Sequence, residues 1–189
     1  MTAGIAAPAD DGGARHLKRG QRVPDIDLPT TAGRLVNFAK LGDMAIVYCY
    51  PWTGRPGLSN PPGWDDIPGA HGSTPETESF RNLYPGFRQV GAQVFGLSTQ
   101  PSAYQRELVE RLDVPFEIVS DEHFAFQRAL SLPTFATDGV TYLKRLTLAI
   151  KGGRIERVYY PIAAPASHAR EVCAWLGMID RSDLRRGGA

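Results

Sequence analysis

The chain has 189 residues, 21 basic against 20 acidic side chains, a formal net charge of +1 and 42% apolar residues. That length and apolar content suit one compact domain with a proper core, which excludes wholesale disorder. The balanced charge supplies no basic face for nucleic acid or for an anionic membrane, so neither partner is expected. The longest apolar stretch, Met44 to Tyr50, is far shorter than the roughly 20 residues that span a bilayer. The N-terminus shows no basic and apolar pattern of a secretory signal, and a cytoplasmic protein is expected. Two cysteines, Cys49 and Cys173, are too few and too far apart for a disulfide framework or a cysteine-based metal site.

Residues 1–19 are small, polar and without apolar periodicity, which predicts a disordered leader. Arg34 to Phe38 is a short strand candidate, and Met44 to Tyr50, apolar, β-branched and aromatic up to Pro51, predicts a central strand buried on both faces. From Trp52 to Gly72 the density of proline and glycine excludes regular structure and predicts a long shaped loop of the kind that carries function. Ser73-Thr-Pro-Glu76 has the spacing of a capping box and opens a helix from about Pro75, which Pro85-Gly86 should kink or interrupt before Gly91. Ala92 to Ser98 reads as a strand and Phe116 to Val119 as another. Between them, Ser102 to Gln105 reads as a second capping box, opening a helix to Leu112. A short helix at Phe124 to Leu130 follows. Val140 to Ile150 and Arg154 to Pro161 then form a hairpin across Gly152-Gly153, and Pro165 to Leu176 is the last helix. Residues 179–189 read as a flexible tail. The succession predicts an α/β fold, a central mixed sheet flanked by helices.

Within 20–178 several segments occur in a specific order: Arg22-Val-Pro-Asp-Ile-Asp-Leu-Pro-Thr, the Met44 to Pro51 strand, Gly72-Ser-Thr-Pro-Glu leading to Phe80-Arg-Asn82, Val94-Phe-Gly-Leu-Ser98, Val114 to Asp121, and Arg145-Leu-Thr-Leu-Ala-Ile150. This succession resembles the peroxiredoxin family. The resemblance implies a thioredoxin-like fold and a cysteine at the start of the helix after the second core strand. Here that position is Ser73, and the position five residues on, which often holds a resolving cysteine, is Glu78. A serine hydroxyl ionises several units above a thiol and cannot cycle through a sulfenic acid, so peroxide reduction is not expected. The resemblance further implies Arg145 as the arginine set against that position and Thr53, just after Pro51, as a candidate for the hydroxyl that orients the ligand. Ser73 and Arg145 then form the reacting centre, with Pro51, Thr53, Trp64, His71, Thr74 and Glu76 as substrate-binding candidates. The guanidinium and the helix N-terminal amides should receive a carboxylate or an enolate-like oxygen. No cofactor or metal is implied, and the partners expected are a small-molecule substrate and a second copy in a homodimer.

Blander readings stand beside these. Ser73 can be only a helix cap, and Arg145 can serve in a structural ion pair with Glu76. Cys49 and Cys173 read as inert core thiols. His71 invites a Ser-His pairing, although residues so close in a turn seldom align for it, while His16, His123 and His168 show no metal spacing. Trp64, beside Asp65 and Asp66, is either a lid or dimer contact or a cap on the core. Three functions remain open at this point: a repurposed cofactor-free catalyst, with specialised metabolism as a setting; a one-cysteine thiol peroxidase carrying a cysteine-to-serine exchange at 73; and a ligand- or partner-binding protein without turnover.

Overall fold

The computed structural model describes residues 7–179. Its strands and helices, in chain order, are β1 (Leu28–Pro29), β2 (Leu35–Val36), β3 (Met44–Cys49), α1 (Ser73–Gln89), β4 (Ala92–Ser98), α2 (Ser102–Leu112), β5 (Ile118–Ser120), α3 (Ala125–Leu130), β6 (Thr134–Thr137), β7 (Val140–Leu143), β8 (Leu146–Lys151), β9 (Arg154–Tyr159) and α4 (Pro165–Trp175). The central sheet has the order β5-β4-β3-β8-β9, with β3, β4 and β5 parallel and β8 and β9 antiparallel to their neighbours.

β3 is buried on both faces, as its unbroken apolar run requires. Ala45, Val47 and Cys49 pack with Phe38, Leu97 and Phe126 on the face that α3 covers. Ile46 and Tyr48, with Tyr50 beyond the strand, pack against Phe80, Leu108 and Val172 of α1, α2 and α4 on the other. No helix among the described residues is long and apolar enough to cross a membrane.

Five local expectations are corrected. The strand expected at Arg34 to Phe38 shrinks to β2, which pairs with β1 in a two-stranded ribbon. Helix α1 runs unbroken through Pro85, because the ring faces solvent while Phe80 and Phe87 anchor the same helical face in the core. Neither capping box forms. The N-cap residues are Gly72 and Pro101 without side-chain bonds, Glu76 turns inward, and Gln105 donates instead to the Ser98 hydroxyl and the Gln100 carbonyl. The single strand expected over Val140 to Ile150 divides at Lys144-Arg145 into β7, paired with β6, and β8, in the main sheet. Finally, the described part of the expected leader is packed: Ala14 and Leu17 are buried in the core, and Asp11 accepts from Lys144 and from the Tyr160 hydroxyl (2.6 Å). Two apolar side chains in one short turn are enough to anchor such a segment, although they show no periodicity. Most of the expected C-terminal tail lies outside the described residues.

The hairpin of β8 and β9 turns at Gly152-Gly153 as expected, and a side chain at Gly153 would meet the Ala39 carbonyl oxygen at 2.5 Å. The loop from Trp52 to Gly72 holds one turn of 3-10 helix, Trp64–Asp66.

Candidate active site

The break between β7 and β8 places Arg145 just before the first residue of β8, an interior strand of the main sheet. Leu146 is paired with Cys49 at the end of β3, so the preceding residue faces the segment that leads into α1. The Arg145 side chain is 2% exposed and that of Glu76 fully buried. Nη1 donates to Glu76 Oε2, while Nη2 donates to Ser73 Oγ and to the His71 carbonyl, each at 3.1 Å. The carbonyls of Gly69 and Ala70 lie 3.5 Å from the same Nη2, so one guanidinium gathers the end of the long loop and the start of α1.

Burial pushes the Glu76 carboxyl above its usual range, against the opposing pull of Arg145 and of nearby His168. Its Oε1 supports that direction, being buried without a hydrogen-bond partner, as is Arg145 Nε. A carboxylate with one oxygen unsolvated keeps part of the desolvation penalty that its partner offsets at the other.

Ser73 is the first residue of α1, behind Gly72, whose φ of 106° belongs to the left-handed region. Its side chain therefore makes no cap and accepts from Arg145 instead. Its carbonyl receives the Thr77 hydroxyl at 2.9 Å, and Thr77 in turn accepts from Tyr48 at 3.1 Å, which ties the helix start to β3. His71 does not pair with Ser73 and is engaged elsewhere, with Nε2 2.8 Å from Asp65 Oδ1. Among the described residues, no imidazole or carboxylate is hydrogen-bonded to Ser73 Oγ.

A cleft of about 370 Å³ opens in front of Ser73, and Thr53, His71, Thr74 and Trp64 line it as well. Pro51, Glu76 and Arg145 are buried and do not line it. Thr53 donates through its backbone N–H (3.0 Å) and its hydroxyl (3.2 Å) to Gln100 Oε1, and its carbonyl accepts from Gln100 (3.2 Å) and the Tyr104 hydroxyl (3.0 Å). Trp64 caps a small apolar cluster, edge-on to Trp52 and Tyr142 and tilted against Phe135. It is a wall of the cleft as well as a cap.

Sequence reasoning missed Gln100, Tyr104, Arg55 and Arg111. Gln100 follows the C-terminal end of β4, where open α/β sheets place their sites, and that position was a usable signal. For Arg55 and Arg111 no local signal existed. Cys49 and Cys173 are both buried, and burial raises both thiols, that of Cys173 to about 11. His168 lies 2.9 Å from the Thr147 hydroxyl and 3.2 Å from Glu171. Among the described residues, no group of three or more histidine, cysteine or acidic side chains is placed to hold a metal ion.

The family model described as Redoxin matches residues 18–172. The chain belongs to the redoxin family. Among its relatives, peroxiredoxin Q of Oryza sativa subsp. japonica is 26% identical over 156 residues, 82% of this chain. The matched stretch spans 64% of the rice protein's own length. Peroxiredoxin Q of Arabidopsis thaliana is 25% identical over 161 residues, 85% of this chain and 67% of that one. Among solved structures, peroxidoxin BcpB from Mycobacterium tuberculosis superposes with a TM-score of 0.70 at 24% identity, covering 87% of this redoxin and 99% of that chain. A Xanthomonas campestris peroxiredoxin Q structure gives a TM-score of 0.67 at 23% identity, covering 86% and 96%. The fold is therefore the thioredoxin-like fold of peroxiredoxins, as the resemblance implied.

Proposed function

We propose that this redoxin is not a thiol peroxidase and that it acts without cofactor or redox chemistry on a small molecule, with Ser73 as a polarised hydrogen-bond donor. The observation that carries the reading is the 3.1 Å bond from Arg145 to a Ser73 hydroxyl that, among the described residues, has no hydrogen-bonded base. A hydroxyl oxygen accepting from a guanidinium becomes a stronger donor through its own O–H, because the two hydrogen bonds polarise one another. A serine without a base is a poor nucleophile. The arrangement therefore suits an oxygen on which negative charge develops, as in enolisation, cyclisation or acyl chemistry. The loop carbonyls and Glu76 keep Arg145 in place, so little reorganisation accompanies that charge. Ser73 at the position of the family's peroxidatic cysteine, with both thiols of the chain buried, supports the loss of peroxide reduction. A homodimer in the cytoplasm, working in specialised metabolism, belongs to the same reading.

A second reading, a one-cysteine peroxidase carrying a serine at 73, is favoured by the same contact, since Arg145 would equally stabilise a thiolate there. Both are tested by following hydrogen peroxide and an organic hydroperoxide in the presence of a dithiol reductant. The protein with Ser73 should leave both untouched, and consumption at an enzymatic rate overturns the proposal. Ser73→Cys separates the two readings: enzymatic turnover by that variant establishes the second, and inertness with the fold intact supports the first.

A further inference from the structure

The cleft in front of Ser73 has a charged end that the reaction centre does not use. Arg55 and Arg111 line it, and among the described residues no aspartate or glutamate does. The two arginines differ in how their charge is met. Arg111 is paired with Glu107, Nε to Oε1 at 2.6 Å, and its Nη2 reaches the Gly54 carbonyl at 3.4 Å. Arg55 lies over the Tyr104 ring, 4.2 Å from its centroid, and among the described residues it has no ion pair. Its Nε is buried and without a hydrogen-bond partner. An arginine that is partly withdrawn from water and uncompensated pays a desolvation cost that a bound anion would offset. The Tyr104 ring holds the guanidinium plane without satisfying its N–H donors, and Tyr104 is itself fixed by its bond to Thr53. The indoles of Trp52 and Trp64 line the same cleft and supply an apolar wall.

We infer that the cleft takes a small organic acid whose carboxylate is gripped by Arg55, with Arg111 as a weaker second cation, and whose second oxygen reaches Ser73. The inference rests on the reading of Ser73 as a donor but names the substrate class that the reading leaves open. A carboxylate matches the planar fork of an unpaired guanidinium in two parallel hydrogen bonds, and the flanking indoles exclude water from the body of the ligand. Arg111 contributes less because Glu107 already cancels much of its field.

The test is a calorimetric titration of the full chain with malonate and with its uncharged counterpart malonamide. Malonate should bind, malonamide should bind at least tenfold more weakly, and Arg55→Gln should weaken malonate at least tenfold while leaving malonamide unchanged. Arg88→Gln, an exposed charge at the far end of α1, should leave malonate affinity as it was. Equal affinities for the two probes, equal affinities of the parent protein and Arg55→Gln for malonate, or the same loss in Arg88→Gln would each overturn the inference. Ser73→Ala distinguishes its failure from that of the reading beneath it. If Arg55→Gln weakens malonate and Ser73→Ala does not, the acid-binding end stands and the Ser73 donor falls. If only Ser73→Ala weakens it, the donor stands and the acid-binding end falls.

Discussion

The guanidinium of Arg145 and the hydroxyl of Ser73, 72 residues apart in the chain, meet at 3.1 Å, and Glu76 holds the same guanidinium from its other side. Because both members of the ion pair are buried, removing either one strands the other in a medium that cannot solvate it. Glu76→Ala or Arg145→Ala should therefore destabilise the protein by about 3–5 kcal/mol. The double variant Glu76→Leu with Arg145→Met should recover a large part of that loss, since two apolar groups leave no charge behind. Urea unfolding of the single and double variants measures both effects, and a double variant as unstable as the sum of its singles would show that the pair is not the unit that matters.

The same pair predicts a pH dependence of definite sign. Burial raises the Glu76 carboxyl in the folded protein, so over the window between its ordinary value and the raised one the folded state binds more protons than the unfolded chain. The stability that Glu76 contributes is present in full below the ordinary carboxylate value and falls as pH rises through the folded one. In Glu76→Gln this component disappears. The difference in unfolding free energy between the parent protein and the variant should thus shrink from acid toward neutral pH. A difference growing in that direction would mean that Arg145 dominates burial.

Asp11 behaves in the opposite way. The Lys144 ammonium and the Tyr160 hydroxyl, with the Gly13 amide, hold its carboxyl well below the usual carboxylate range. Its contacts are therefore fully present above the ordinary carboxylate value and are lost only as pH falls toward the lowered one. Asp11→Asn removes the charge without acid. In that variant the amide of Gly13, which donates to Asp11, should exchange with solvent faster, with little change in global stability, because Asp11 is exposed. Unchanged exchange there would show that Ala14 and Leu17 alone hold the segment.

Gly72 has two reasons to be glycine. Its φ of 106° strains any residue with a Cβ, and a methyl group at that position would collide with the Pro165 ring at the start of α4. Gly72→Ala should lose roughly 1–3 kcal/mol. It should also shift Ser73 relative to Arg145, so ligand binding in the cleft should weaken more than the stability loss accounts for. Titration of malonate below the melting temperature checks this, and unaltered binding in a destabilised variant would confine Gly72 to a structural role.

Much of the fold was legible locally. The apolar runs of β3 and β4, the double glycine of the last hairpin and the amphipathic pattern of α2 each carry their structure in a few neighbouring residues. The helix start at Ser73 and the importance of Arg145 were legible through the ordered segments shared with peroxiredoxins. The break at Lys144-Arg145 was not, because β7 and β8 have the same apolar, β-branched character and differ only in which partner strand accepts them. Pro85 misled for a related reason: a proline that breaks an isolated helix is tolerated when its ring faces water and the residues around it are anchored.

Residue types and their order along the chain determined the α/β class, the central strand, and a serine rather than a cysteine at the start of α1, since each follows from chemistry within a short span. That the His71 carbonyl shares the Arg145 donor with Ser73, that His71 turns its ring to Asp65, and that Arg55 has no ion pair among the described residues were decided only by tertiary structure. These are contacts between segments far apart in the chain. Their energies depend on burial and on competing partners, and neither exists until the sheet and its helices have come together.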